Sequence, residues 1–223
     1  PICHSDASLS IIALWGSSMS HIHLYRLALC SAGSPPLFPP LSHTIAHEVV
    51  GLFGRNGCGK SSLLAASAGQ GPVRSGAVTL DGTVGFMQQG AFSAGVSLAQ
   101  ALGVESALAR LDRIEAGAAS GDDWDAGDWS LPSRLERCLA QFGLCDHALD
   151  EPAARLSGGE QARVKLAALA LAQPDILLLD EPTNDLDEEG RAMVADFLTR
   201  WDGPALVASH DRALLERMDR ILE

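Results

Sequence analysis

Residues 54–62 read GRNGCGKSS, between the apolar stretches EVVGLF and LLAASAG. Glycine loses more conformational freedom on folding than any other residue, and a lysine charge is costly to bury, so the combination needs a reason. Gly54, Gly59, Lys60 and Ser61 fit the spacing G-x-x-x-x-G-K-[ST], with a strand pattern before and a helix pattern after. The glycines let successive backbone N–H groups curl around a phosphate, and the positive end of the following helix points at the same place. Lys60 offers a point charge to β and γ phosphates, and the Ser61 hydroxyl is a ligand for Mg²⁺. The alternative is a chance glycine turn, against which the strand–loop–helix context argues.

The rest of the chain supplies strands and helices in alternation, which implies a parallel α/β sheet. HIHLYRLAL (21–29) alternates like a first strand, and HTIAHEVVGLFG (43–54) reads as a strand running into the glycine loop. Residues 60–69 read as a helix. GAVTLDGTVGFMQQ (76–89) gives two short strands around an Asp81-Gly82 turn. Residues 97–118 are helical by pattern, 117–130 form a polar acidic loop, and 131–144 an amphipathic helix. An alanine–leucine helix over 159–172 closes at Gln173-Pro174. ILLLD (176–180) and ALVAS (205–209) are continuous apolar runs, as expected of parallel strands buried on both faces, with a helix over 187–201 between them.

Two further strings carry chemistry. In ILLLDEP, the carboxylates fall at the C-terminal end of a buried strand, in the crevice where open α/β sheets bind ligands. Asp180 is placed to hold Mg²⁺ through water and Glu181 to act as general base on an attacking water. Alone, the string would be a strand-end turn; beside a phosphate loop it is a catalytic pair. In LSGGEQAR (156–163), Ser157 and Glu160 make a capping box ahead of an apolar helix. A plain cap does not need Gly158 and Gly159 in the first turn, where each weakens the helix. Two glycines at a helix N-terminus also let a phosphate approach backbone N–H groups.

Composition excludes several classes. The chain has 223 residues, 47% of them hydrophobic, and a net charge of −12. That charge argues against holding nucleic acid by bulk electrostatics. The cysteines Cys3, Cys30, Cys58, Cys138 and Cys145 form no CxxC pair, so neither zinc nor a disulfide framework is indicated, and a reducing cytoplasm is expected. No run approaches the roughly 18 apolar residues a membrane helix needs. SLSIIALWGSS lacks a preceding basic residue and is a poor signal peptide. Met19 is a natural start, so residues 1–18 read as a leader or expression remnant and 19–223 as one domain.

With these residues in view, the chain resembles an ATP-binding cassette (ABC) domain over about residues 20–223. Gly54–Ser61 resembles the Walker A loop, which extends the ATP-binding set to Arg55, Asn56, Gly57, Cys58 and Ser62. Ile176–Glu181 resembles Walker B, and Leu156–Glu160 the signature motif (Ser157, Gly158, Gly159, Glu160). Gln89 fits the Q-loop glutamine, near Mg²⁺ and the attacking water. Asp187 in NDLD fits the D-loop aspartate, and His210 in VASHDR the switch histidine. The resemblance implies a P-loop NTPase fold with a mostly parallel core sheet, an antiparallel β part and a helical subdomain over about 94–158. It implies ATP and Mg²⁺ as ligands, with Ser61, Gln89 and Asp180 toward the metal and Glu181, His210 and Gln89 catalytic. It also implies a head-to-tail partner cassette whose signature faces this Walker A, and slow hydrolysis by a lone domain.

DEPTNDLD is similar to the EPTNHLD string of ABC-F proteins, which are soluble and act on ribosomes. DDWDAGDWSLPSRLERCLAQFGL and SHDRALLERMDRILE are similar to the corresponding regions of that subfamily. The resemblance implies a cytoplasmic parent protein with a charged linker and a second cassette beyond Glu223, making this chain an N-terminal half. The other reading is the ATPase subunit of a transporter, gripping a separate membrane permease without itself inserting. Some positions depart from the family. Asp185 stands where ABC-F proteins have histidine. IAHEVV lacks the usual Pro-Gly before Walker A. The adenine-stacking aromatic expected near Ser31 or Ala32 is missing, leaving Tyr25 and Phe38 as the nearest candidates. Cys58 is either a small loop residue or a thiol whose pKa a helix N-terminus could lower.

Overall fold

The computed structural model describes residues 20–29 and 37–223. The expected leader, Ser31 and Ala32 lie outside those residues. The remainder folds as a five-stranded sheet with helices against it and a three-stranded sheet beside it. The five-stranded sheet has the order β5(Val84–Met87), β6(Ile176–Asp180), β7(Ala205–Ala208), β3(Val49–Leu52), β8(Arg220–Leu222), and its recorded pairings are all parallel. The three-stranded sheet is antiparallel, ordered β2(Leu41–Ala46), β1(His21–Ala28), β4(Ser75–Asp81).

Side-chain alternation on the central strands builds two cores. Leu177 and Leu179 of β6, with Ala205 and Val207 of β7, face a core shared with α5(Leu131–Gln141), α6(Gly158–Ala172) and α7(Glu188–Thr199). Ile176 and Leu178, with Leu206 and Ala208, face the opposite core. There they meet α1(Lys60–Ser67) and the antiparallel sheet, through Leu63, Leu64, Ile22 and Leu24. Burial on both faces explains why ILLLD and ALVA read as unbroken apolar runs.

Four expectations from the sequence are corrected. The strand expected over 43–54 is two strands in different sheets. His47, at φ 39°, turns the chain between β2 and β3. The Asp81-Gly82 turn does not close a hairpin, because β4 lies in the antiparallel sheet and β5 in the parallel one. Asp175 fixes that crossing: its carboxylate accepts from the Thr83 N–H and hydroxyl, each at 2.7 Å. The helix expected over 97–118 breaks at Leu102–Val104 into α2(Leu98–Ala101) and α3(Glu105–Glu115), with Gly103 at φ 73°. The acidic loop contains a one-turn helix, α4(Gly121–Asp125), capped reciprocally by Ser120 and Asp123. Its signal, Ser followed three residues later by Asp, was legible as a capping box. The chain closes with α8(Arg212–Leu215) and β8.

Candidate active site

The strand–loop–helix unit of β3 and α1 wraps the glycine loop around the amide end of α1. Gly57 (φ 81°) and Gly59 (φ 107°) occupy left-handed backbone that favours glycine. A Cβ on Gly59 would also press on Leu37 at 3.1 Å and Phe38 at 3.3 Å. The Lys60 ammonium donates to the Gly54 carbonyl at 2.9 Å and contacts His210 Nε2 at 3.0 Å. The Ser61 hydroxyl donates to Asp180 Oδ1 at 3.0 Å, tying the loop to the end of β6 across 119 positions of sequence.

Glu181 follows Asp180 with φ 50°, a strained position for a residue bearing a Cβ. Its N–H donates to the Ala208 carbonyl of β7 at 2.8 Å. Its carboxylate, only 10% exposed, accepts from the His210 N–H at 3.2 Å and lies 3.4 Å from His210 Nε2. That nitrogen therefore faces an ammonium and a carboxylate. In the neutral ring it accepts from Lys60 if Nδ1 carries the proton and donates toward Glu181 if Nε2 does.

Lys60, Ser61, Gln89, Glu181 and His210 line one open cavity of about 810 Å³, together with Asn56, Gly57, Gly59 and Ser62. The volume suits a nucleotide-sized ligand. Leu29, Leu37, the turn Gln70–Pro72 and Asn184 complete the wall. None of these had been singled out from the sequence; only the Gly71-Pro72 pair carried a signal, and it was one for a turn. Among the aromatic candidates, Tyr25 is 56% exposed and stacks on His23, and Phe38 packs beside Gly59. Neither lines the cavity. Arg55 is exposed, and Cys58 Sγ would be 2.9 Å from a Cβ on Gly54.

The residues present fit Mg²⁺. Ser61 and Asp180 converge as hard oxygen donors: Ser61 lines the cavity, and Asp180, almost fully buried, is bonded to it. Mg²⁺ characteristically takes one or two such protein ligands and completes its shell with waters and substrate phosphates. Correspondingly, the described residues hold no group of three or more His, Cys, Asp or Glu that would cage a metal unaided.

Ser157, Gly158, Gly159, Glu160 and Asp187 lie elsewhere, around a second cavity of about 450 Å³ that shares no lining residue with the first. Ser157 caps α6 reciprocally with Glu160: Ser157 Oγ donates to Glu160 Oε2 at 2.7 Å and accepts from its N–H. The Ser157 hydroxyl, then its N–H, holds the Glu160 carboxyl below its ordinary pKa. The cap and the signature glycines are thus one structure. A Cβ on Gly158 would lie 3.0 Å from Asp185 Cβ, and one on Gly159 would lie 2.9 Å from the Asp185 carbonyl. Close packing of the DEPTND loop therefore requires both glycines. Asp187 caps α7 through the Gly190 N–H at 2.8 Å and pairs with Arg163 at 3.3 Å; these contacts, the first foremost, lower its pKa.

A family model described as ABC transporter matches residues 41–184, from the start of β2 to the loop after Glu181. The chain belongs to the ATP-binding cassette family. It is an ATP-binding domain of that family, whose members hydrolyse ATP. It is 32% identical over 197 residues to the tylosin resistance ATP-binding protein TlrC of Streptomyces fradiae, covering 77% of this chain and 36% of that protein. It is 33% identical over 190 residues to the energy-dependent translational throttle protein EttA of Haemophilus influenzae, covering 84% and 32%. The chain thus spans about a third of the length of these curated relatives. Its fold is shared with a bacterial Atm1-family ABC exporter solved with ATP bound, at TM-score 0.72 and 16% identity over 91% of this chain and 37% of that one. Among the described residues, no helix is long and apolar enough to cross a membrane.

Proposed function

We propose that this cassette binds MgATP in the cavity between the phosphate loop and β6, and hydrolyses it when a second cassette covers that cavity with its own signature. The observation that carries the reading is the convergence of Lys60, Ser61, Glu181 and His210 on one cavity, with Asp180 bonded to Ser61, while Ser157 faces another. The separation of Lys60 and Ser157 into different cavities supports a reading in which a partner cassette contributes the second wall.

In this reading Lys60 and the loop amides bind the β and γ phosphates. Ser61 and Asp180 would hold Mg²⁺, which neutralises phosphate charge when bound. Glu181, fixed by its strained backbone and the His210 N–H, takes the proton of the attacking water. His210 orients the γ-phosphate and Gln89 the water. Leu29 and Leu37 offer the base an apolar wall in place of an aromatic one. In the 223-residue domain alone, turnover is slow because the second signature must be recruited from solution.

The parent protein is proposed to be of ABC-F type, cytoplasmic and acting on the ribosome. Its support is the DEPTNDLD string and the likeness to a translational throttle protein. Fractionation of cells producing the intact parent protein with Glu181→Gln, lysed in ATP, tests this. Co-sedimentation with ribosomes that is lost on ATP withdrawal is the expected result. Pelleting with membranes, released only by detergent, would replace it with the reading as subunit of a membrane permease complex.

A further inference from the structure

Helix α6 makes a second connection to the site, two turns beyond its signature end. Gln161 and Lys165, one turn apart and therefore on one face, both end on the loop that carries Gln89. Gln161 Oε1 accepts from the Phe92 N–H at 3.0 Å, while its amide nitrogen donates to the Leu156 carbonyl at 2.8 Å. Lys165 Nζ donates to the Gln88 carbonyl at 2.9 Å and to the Gly90 carbonyl. These are the residues immediately before and after Gln89. The ammonium also lies 5.5 Å from the centroid of the Phe92 ring, where a cation is attracted to the ring face. A residue that only filled this space would be apolar. Lys165 instead spends a partly desolvated charge on two peptide carbonyls and one ring. A small cavity beside Lys165 is lined by Gln89, Gly158, Asp180 and Glu181, so the clamp adjoins both the base and the signature turn.

We propose that Lys165 is a positioning residue for Gln89, clamping the peptide units on either side of it to the helix whose first turn is the signature. Displacement of α6, as when a partner engages Ser157, and placement of Gln89 at the attacking water are then coupled through one side chain. The inference rests on the role given to Gln89 above.

The test combines hydrogen exchange of the ATP-free chain with steady-state ATP turnover in Lys165→Met, Lys165→Arg, Gln89→Ala and the double variant Lys165→Met/Gln89→Ala. Methionine keeps the stem and removes the donors. Amides of residues 88–92 should exchange about tenfold faster in Lys165→Met, while those of β6 and β7 stay as protected as in the native chain, showing an intact fold. ATP affinity should stay within about twofold and kcat fall by about tenfold, the usual cost of losing an outer-shell partner. Lys165→Arg should restore most of kcat. On the Gln89→Ala background, Lys165→Met should cost nothing further, because it acts through that glutamine. Unchanged exchange at 88–92, or an equal loss of kcat with Gln89 already removed, would overturn the proposal. If Gln89→Ala alone keeps native kcat, the role given to Gln89 fails, and with it the catalytic half of this inference; the exchange result then decides the clamp by itself.

Discussion

At the scale of single residues, the site depends on how β6 ends. Asp180 is the last residue of the strand and nearly fully buried, whereas Glu181, one position on, is turned by a left-handed backbone to meet His210. Two adjacent carboxylates thereby face different partners, a hydroxyl and an imidazole. Glu181→Gln keeps the shape and removes the carboxylate proposed as base. It should leave ATP binding intact, lower hydrolysis by about 100-fold or more, and trap a nucleotide-bound dimer, read by single-turnover assay and light scattering. Lys60→Ala should instead weaken ATP binding itself, seen in equilibrium titration.

The cysteines divide in the same way. Burial against the Ala167 carbonyl pushes the Cys138 thiol up to about 11. At pH 8 it stays protonated and covered, so alkylation and peptide mapping should label Cys145, which is exposed, and the half-buried Cys58 well before Cys138. Because the folded thiol ionises later than the unfolded one, Cys138 also removes stability as pH rises above about 9. Lys60, Ser61, Asp180 and Glu181 were legible in the sequence, because loop spacing and a strand end constrain them, whereas His210 was legible only through the family resemblance. Lys165 was not: its partners are main-chain carbonyls 75 and 77 positions away, and carbonyls leave no mark in side-chain pattern.

At the scale of elements, α2, α4, α6, α7 and α8 start on side-chain caps that the sequence displays. Asp211 accepts from the N–H groups of Ala213 and Leu214 and opens α8. Asp211→Ala should cost about 1 kcal/mol, lowering the denaturant midpoint without changing its slope. Leu178, fully buried on β6 between α1 and the antiparallel sheet, is a stronger determinant. Leu178→Ala should destabilise by about 2–5 kcal/mol in the same measurement, through lost burial and the cavity left behind. The elements that sequence reading joined wrongly share a cause. Periodicity shows that 43–54 is extended, but not that His47 hands the chain from one sheet to another. It shows that 97–118 is helical, but Gly103 at φ 73° ends one helix before the next begins. The Asp81-Gly82 pair has the composition of a hairpin turn, and only the pairing of β5 with β6 reveals a crossover.

At the scale of the whole molecule, the central sheet separates two cores and brings the ends of β3, β6 and β7 together at the phosphate cavity. The signature turn opens onto a different cavity, closed from beneath by the Asp185 backbone. In the proposed function each cavity is half of a site. The proposed account completes each with the complementary half of another cassette. This division was only partly legible in the sequence. The motifs named the residues, but nothing in a linear string says that Ser61 and Asp180 touch while Lys60 and Ser157 line separate walls.

The measurement that tests this account most directly is ATP turnover by mixed variants. Chains carrying Lys60→Ala and chains carrying Ser157→Phe are assayed separately and then together. The account predicts that each is inactive alone and that the mixture recovers hydrolysis, because a mixed pair contains one native Lys60 opposite one native Ser157. A mixture as inactive as its components, or a Ser157→Phe chain that turns over ATP at the native rate, would contradict it.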